Sequence, residues 1–351
     1  MRRADSGRPV ASRRDSARAS RGRREGNVTE LAVAEHPATP PAASDAGTRA
    51  LRRARRPRRS FSWRAPLLFL GPFVVLFAAM NIAPIVYAFV SSLFTVKRSG
   101  LGLTAPTQEF DPFANYLHAF GDPDFVASLG RVALFGIVQV PVMLGLALAL
   151  ALLIDSKSAR GKGFFRLSSF LPYAIPGVSA ALVWSFMYST TSSPINHLLA
   201  PLGIQLPFFD EGTVLWSVAN IVTWSWTGYN MIIIYAALQS IPAEVLEAAK
   251  LDGASAFRTA WSIKIPMVRS AIILTAVFSI IGSAQLYNEP TVLQPISGGS
   301  VSSTFTPIMS AQAAVGAGNY PYAAAQSVIL AVLVGVISFV FFRLTSKGDT
   351  A

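Results

Sequence analysis

The sequence contains no cysteine in its 351 residues. Disulfide bonds, thiolate catalysis and cysteine-ligated zinc are therefore excluded. Histidine is almost as scarce, and the three that occur are His36, His118 and His197. Their wide separation in the sequence gives none of the short spacings of a metal-binding motif. We therefore expect neither a metal centre nor a cofactor.

Motifs for nucleotide hydrolysis and for nucleophilic catalysis are also missing. The only Gly-Lys pair, Gly161-Lys162, lacks the glycine-rich loop that cradles phosphates. The segment Gly253-Ala-Ser-Ala-Phe257 begins like a nucleophile elbow but lacks the final glycine of that motif. No catalytic residue is predicted, and the alternative of a membrane-embedded enzyme has no paired catalytic groups to support it.

Charge is scarce outside one end of the chain. Charged residues make up 14% of the sequence and hydrophobic residues 52%, whereas a soluble globular protein carries about 25% charged residues. The net charge is +12, but residues 1–64 hold 17 Arg, no Lys and six acids, which accounts for +11 of it. A nearly neutral, apolar body with a basic tail does not fit a uniformly basic nucleic-acid binder, so no nucleic-acid partner is expected.

Residues 1–62 form the basic tail. They are rich in Arg, Ala, Ser and Pro and show no periodic apolar pattern, which predicts a disordered segment. The arginines between Arg52 and Arg59 precede the first apolar run and indicate a cytoplasmic flank attracted to anionic membrane lipid. A signal peptide is the alternative, but the apolar run that follows is too long for one and has no evident cleavage site.

Six apolar stretches are long enough to cross a bilayer, which takes roughly 20 residues of helix. The sequence thus predicts an all-α integral membrane protein whose six-span domain occupies residues 63–351. The predicted transmembrane helices are 66–94, 127–154, 167–190, 214–238, 268–289 and 322–343.

Almost no charge enters these stretches. Arg131 lies near the start of the second and Glu289 at the end of the fifth. Acids within spans would suggest proton coupling, so an ion-coupled secondary transporter is an alternative for which Glu289 is the only candidate residue.

The loops between the spans differ in charge on the two sides. Cations dominate the loops predicted to lie inside, whereas the outer loops are mostly acidic, so both termini are predicted to be cytoplasmic. The inner cations are Lys157, Arg160, Lys162, Arg166, Lys250, Arg258, Lys264, Arg269, Arg343 and Lys347. The outer charges are Glu109, Asp111, Asp122, Asp124, Asp210 and Glu211, with Lys97 and Arg98.

The second inner loop, residues 240–266, has the pattern of two short helices joined by a glycine turn. Pro242 suits a first helical turn, Gly253 suits a left-handed helix end, and Pro266 is expected to stop the second helix.

This loop resembles the EAA loop of binding-protein-dependent ABC permeases. Glu247-Ala-Ala249 is followed after three residues by Gly253 and after nine more by Ile263-Lys-Ile-Pro266, with Ile265 where the family commonly has Leu. The resemblance implies a type I ABC importer transmembrane domain in which this loop is the coupling helix that contacts an ATPase subunit. The ATPase-coupling residues so implied are Glu247, Ala248, Ala249, Asp252, Gly253, Ile263 and Pro266.

Further stretches over residues 65–345 are similar to the carbohydrate-uptake, maltose-permease-like branch of that family. Examples are Leu171-Pro-Tyr-Ala-Ile-Pro176, Trp224-Ser-Trp-Thr-Gly-Tyr-Asn230 and Gln285-Leu-Tyr-Asn-Glu-Pro290. Aromatic rings stack on sugars, and amides or acids bond sugar hydroxyls. The candidate substrate-pathway residues are Trp184, Tyr188, Trp224, Tyr229, Asn230, Gln285, Tyr287, Asn288 and Glu289.

The resemblance also implies the partners and the location. They are a second permease subunit, two ABC ATPase subunits, an extracytoplasmic sugar-binding protein and a sugar, in a bacterial inner membrane. Import of a non-sugar solute by the same kind of permease is the alternative within the family.

Overall fold

The computed structural model describes residues 64–97, 106–189 and 191–346. The predicted disordered tail, residues 1–62, lies outside the described residues, as do Arg98 and Lys347.

The described residues are mostly helical. The helices are α1 (Arg64–Phe77), α2 (Ala83–Ser92), α3 (Ala114–Gly121), α4 (Pro123–Asp155), α5 (Lys162–Phe170), α6 (Gly177–Tyr188), α7 (Pro194–Leu199), α8 (Val214–Gln239), α9 (Ala243–Leu251), α10 (Ala256–Thr259), α11 (Ile265–Met267), α12 (Arg269–Ala284), α13 (Asn288–Leu293), α14 (Pro307–Gly316) and α15 (Tyr320–Ser346). Tighter 3-10 turns cover Leu171–Ala174, Ala200–Leu202 and Gln294–Ile296, and wider π-helical turns cover Ala78–Ile82 and Ala260–Lys264.

Six membrane spans are present among the described residues if each sharply bent helix pair is counted as one. Four segments are long and apolar enough without such a bend: Leu67–Ser92, Pro123–Asp155, Arg269–Ile296 and Tyr320–Thr345. The two bent pairs are Lys162–Ala174 with Gly177–Tyr188, at 96°, and Val214–Gln239 with Ala243–Leu251, at 75°. The predicted number of spans is therefore confirmed, while the shapes of some spans differ from the prediction.

The third span is broken, whereas the sequence predicted one continuous helix over 167–190. The break falls at Ile175 and Pro176, which have extended backbone, with ψ of 127° and 136°. A residue before proline avoids the helical conformation, and proline itself has no N–H to donate. Pro172 and Pro176 together end α5 and start α6 in a new direction.

Two other prolines each follow a π-helical turn. Each π-helical turn ends two residues before a proline, at Ile82 before Pro84 and at Lys264 before Pro266. In the wider turn the N–H of Ala83 bonds to the carbonyl of Ala78, five residues back. This extra room relieves the clash that a proline ring makes with the preceding helical turn. The predicted stop at Pro266 is displaced by one residue, because α11 ends at Met267 and Val268 leaves the helical conformation before α12 begins at Arg269.

A β-hairpin, which the sequence did not predict, follows the first span. Strands β1 (Phe94–Lys97) and β2 (Thr107–Phe110) pair antiparallel, with Phe94 opposite Phe110. Lys97 forms an ion pair with Glu109, and this hydrogen-bonded contact raises the pKa of the Lys97 ammonium. The pair is exposed, so we expect it to add little to stability.

The centre of the bundle is the packing of α4 against α8, with α12 on both of them and α15 on α12. Helix α4 starts at Asp122, whose side chain accepts hydrogen bonds from the N–H groups of Asp124 and Phe125. Two apolar clusters hold the bundle together. The first contains Phe135, Val218, Ile221, Leu286 and Leu293. The second contains Ala147, Ala151, Ile154, Met231, Ile234, Leu238 and Val268.

Candidate functional site

The loop that follows α8 is a short helix with a defined glycine end. Helix α9 begins one residue after Pro242, so this proline lies at the helix cap and not in the first turn. At the other end Gly253 has a φ of 76°. Its N–H donates to the carbonyl of Lys250 at 3.0 Å, and the next N–H donates to Ala249 at 2.9 Å. These two bonds form a Schellman motif, which needs a residue in the left-handed conformation.

The predicted coupling residues lie on different sides of this loop. Ala249 is buried, and Ile263 is half-buried in the π-helical turn. The remaining five are exposed: Glu247, Ala248, Asp252, Gly253 and Pro266. The loop therefore presents an exposed surface of polar and small residues.

Two aromatic residues that the sequence reading missed extend this surface. Phe257 and Trp261 are exposed and stack on one another with ring centroids 6.3 Å apart. Leu251, the last residue of α9, is 90% exposed. Large apolar side chains displayed together on a loop are typical of a protein-binding surface. The sequence feature that could have revealed them is two aromatic residues four positions apart in a loop that is otherwise charged.

A cavity of about 250 Å³ lies between α4, α8 and α12. The structure brings six of the predicted substrate residues to its wall: Tyr229, Asn230, Gln285, Tyr287, Asn288 and Glu289. Asn230 is nine residues from the end of α8, or roughly 14 Å along the helix.

Polar groups from three helices converge on the cavity. Asn230 donates to the carbonyl of Trp226 at 3.1 Å. Gln139 of α4, which the sequence reading missed, donates to Thr223 at 3.3 Å and accepts from Ser283 at 3.3 Å. A glutamine inside an apolar span was the signal for it, because buried amides in membranes need partners and are often functional.

An aromatic group adjoins the same cavity. The ring of Tyr229 stacks on Tyr173 with centroids 4.6 Å apart, and Trp226 packs edge-on against both rings. Tyr173 lies in the 3-10 turn at the break of the third span. The broken span therefore places an extra ring beside the cavity, which a continuous helix would not do.

Asn288 and Glu289 also face that break. They lie in the first turn of α13, after the chain leaves α12. A Cβ atom on Gly177 would lie 3.5 Å from Oε1 of Glu289 and 3.8 Å from Nδ2 of Asn288. The interruptions of the third and fifth spans thus meet beside one cavity.

The other three predicted substrate residues lie elsewhere. Trp184 and Tyr188 line a second cavity of about 470 Å³, beside Phe208 and the start of α8. Trp224 packs edge-on against Trp184 at 5.8 Å. Tyr188 is buried, and its hydroxyl accepts from Asn220 at 2.7 Å. Their ring contacts serve packing in the described structure.

No cluster of His, Asp and Glu side chains suited to a metal occurs within residues 64–97, 106–189 and 191–346. The polar groups of the first cavity are amides, hydroxyls and one carboxylate. Such groups bind and orient a polar organic solute.

Residues 142–347 match the family model described as the binding-protein-dependent transport system inner membrane component. The chain belongs to this family. It is thus a permease subunit of an ABC importer and lies in the inner membrane.

Curated relatives of the permease match it over most of its length. It is 32% identical to the lactose transport system permease protein of Rhizobium radiobacter, over 78% of this chain and 92% of that protein. It is 29% identical to the diacetylchitobiose uptake system permease protein of Streptomyces coelicolor, over 81% of this chain and 83% of that protein. It is 28% identical to the sn-glycerol-3-phosphate transport system permease protein of Agrobacterium fabrum, over 80% of this chain and 94% of that protein.

The fold of the permease also matches a solved structure. One chain of a bacterial ABC transporter involved in the import of the acidic polysaccharide alginate superposes with a TM-score of 0.69. The sequences are 17% identical, and the match covers 81% of the permease and 96% of that chain. The type I importer fold predicted from the loop motif is thus confirmed.

Proposed function

We propose that this permease carries a sugar across the bacterial inner membrane, by alternating access that a partner ATPase drives. The observation that carries the proposal is the first cavity, where Tyr229 and Trp226 offer ring faces and Gln139, Asn230 and Asn288 offer amides. Rings pack on the C–H faces of sugars, and amides both donate to and accept from hydroxyls. The lactose and diacetylchitobiose permeases among the relatives support the same substrate class.

The charge of the cavity favours an uncharged sugar over an anionic one. Among the described residues that line it, Glu289 is the only charged side chain. A phosphate or carboxylate on the solute would meet this group with no cation on the same wall. Since like charges repel strongly in a low-dielectric site, we expect the neutral sugars to be preferred to a phosphate ester.

The exposed surface of the α9 loop is proposed to contact the ATPase. The polar residues Glu247 and Asp252 and the small Ala248 form one part of it, and Phe257 and Trp261 form the other. A helix end fixed by a Schellman motif keeps its shape when pushed, so movement of this loop would reach the spans. The other proposed partners are a second permease subunit and an extracytoplasmic sugar-binding protein.

Uptake in a deletion strain tests the proposed function. A strain lacking this permease is given back the full chain, and entry of radiolabelled lactose, N,N′-diacetylchitobiose and sn-glycerol 3-phosphate is measured. Restored uptake of either neutral sugar, abolished by depleting ATP, is expected. Uptake that survives ATP depletion would contradict the ATPase-driven mechanism, and restoration of sn-glycerol 3-phosphate uptake alone would contradict the substrate class.

A further inference from the structure

The carboxylate of Asp155 joins three parts of the chain at the cytoplasmic end of the bundle. Asp155 is the last residue of α4. Its Oδ1 accepts a hydrogen bond from Nε2 of Gln239 at 2.6 Å, and its Oδ2 forms an ion pair with Nζ of Lys264. Both carboxylate oxygens are therefore used, one by the last residue of α8 and the other by the π-helical turn that follows the α9 loop.

The pair is shielded from solvent. The side chain of Asp155 is 12% exposed and that of Lys264 16%. Along the described chain the other ion pair, Lys97–Glu109, has side chains 56–66% exposed and lies in the hairpin after the first span. Removing one partner of a shielded pair leaves a charge without compensation, so this contact resists being pulled apart.

Apolar packing beside the ion pair joins the same three parts of the chain. Val268 follows the π-helical turn and is 3% exposed. It belongs to the cluster that contains Ile154 of α4 and Leu238 of α8, the residues next to Asp155 and Gln239. The segment 260–268 thus contacts the ends of α4 and α8 through an ion pair and, one turn on, through the core.

We propose that the Asp155–Lys264 pair is the positioning contact that makes segment 260–268 and the cytoplasmic ends of α4 and α8 move as one body. This inference rests on the proposed function, because it concerns how movement of the α9 loop reaches the cavity between α4, α8 and α12. Without the pair, the loop would still bind the ATPase through its exposed surface. Its displacement would then be taken up in segment 260–268 and would not reach the spans.

The test uses the whole importer reconstituted in proteoliposomes, with sugar moved per ATP hydrolysed as the readout. Asp155→Asn and Lys264→Met are each expected to lower this ratio at least tenfold while ATP hydrolysis continues. The exchanged variant, Asp155→Lys with Lys264→Asp, is expected to recover at least half of the lost ratio. Arg160→Met removes an exposed cation from the same face and is expected to leave the ratio unchanged.

A merely structural pair would lower ATP hydrolysis and sugar transport together, whereas a positioning contact lowers transport while hydrolysis continues. The proposal would be overturned if both single variants moved as much sugar per ATP hydrolysed as the wild type, or if the exchanged variant recovered none of the lost ratio.

A distance measurement separates this proposal from the proposed function. Because the chain has no cysteine, spin labels placed by Leu153→Cys and Met267→Cys report only the separation of the end of α4 from α11. In the wild-type background this distance is expected to stay the same with and without ATP, and to broaden with ATP when Asp155→Asn is added. A wild-type distance that changes with ATP would overturn the inference, whether or not any tested sugar is transported.

Discussion

Gly228 of α8 lies against the backbone of Ser169 at the end of α5. A Cβ atom at residue 228 would overlap the carbonyl oxygen of Ser169 and come within 2.9 Å of Cα of Phe170. Two backbones therefore meet here without an intervening side chain, directly before Tyr229 and Asn230 in the sequence. Close approach through glycine is a common way for membrane helices to pack.

Gly228→Ala is expected to separate the broken third span from α8. Neither backbone has a flexible side chain that can give way, so the variant should lose about 1–3 kcal/mol of stability through overpacking. The measurement is the Tm of the detergent-solubilised importer. Gly145→Ala is the control, because a Cβ there meets nothing within 4 Å. Equal Tm values for the two variants would contradict the close approach.

Gly253→Asp is expected to abolish sugar uptake while the protein remains in the membrane. A Cβ at residue 253 has free space around it, so the effect should come from the new charge on the surface proposed to contact the ATPase and from the backbone φ of 76°. Both Asp and Asn tolerate the left-handed conformation better than other residues. Gly253→Asn therefore keeps the shape without the charge and is expected to retain part of the uptake. Normal uptake by the Asp variant would count against the role of the loop.

Asn288→Ala is expected to raise the KM for the sugar severalfold while ATPase assembly is unchanged, because its amide lies at the cavity wall beside the break of the third span. Trp184→Phe is expected to leave the KM unchanged, since this ring lies in the second cavity. Initial rates of uptake over a range of sugar concentrations measure both. A larger change in KM from Trp184→Phe than from Asn288→Ala would indicate that the sugar binds in the second cavity and not in the first.

The orientation of the chain is testable by cysteine labelling, because the natural sequence has no cysteine. Leu117→Cys in α3 is expected to react with a membrane-impermeant maleimide in intact spheroplasts, since its side chain is 72% exposed in a predicted outer segment. Ser158→Cys in the first inner loop should react only after the membrane is opened. The reverse pattern would contradict the predicted cytoplasmic termini.

The sequence predicted the bundle and the glycine-ended helix after α8 because both depend on local patterns. Long apolar runs specify spans regardless of what they pack against, and the EAA spacing with Gly253 identifies a turn that local backbone geometry requires. Bends were harder to predict, since two prolines in Leu171–Pro176 break one helix while Pro84 and Pro266 are accommodated by π-helical turns. The choice between these outcomes depends on which neighbours satisfy the freed backbone groups.

For this protein, then, the amino-acid order by itself determined that the chain spans a membrane and that it carries the EAA sequence pattern of its family. Only the tertiary structure separated Trp184 and Tyr188 from Tyr229 and Asn230, added Gln139 to the cavity and joined Asp155 to Lys264 over 109 residues of sequence. The physical reason is that span formation follows from transfer of a single segment into lipid, whereas a cavity or an ion pair follows from how distant segments pack.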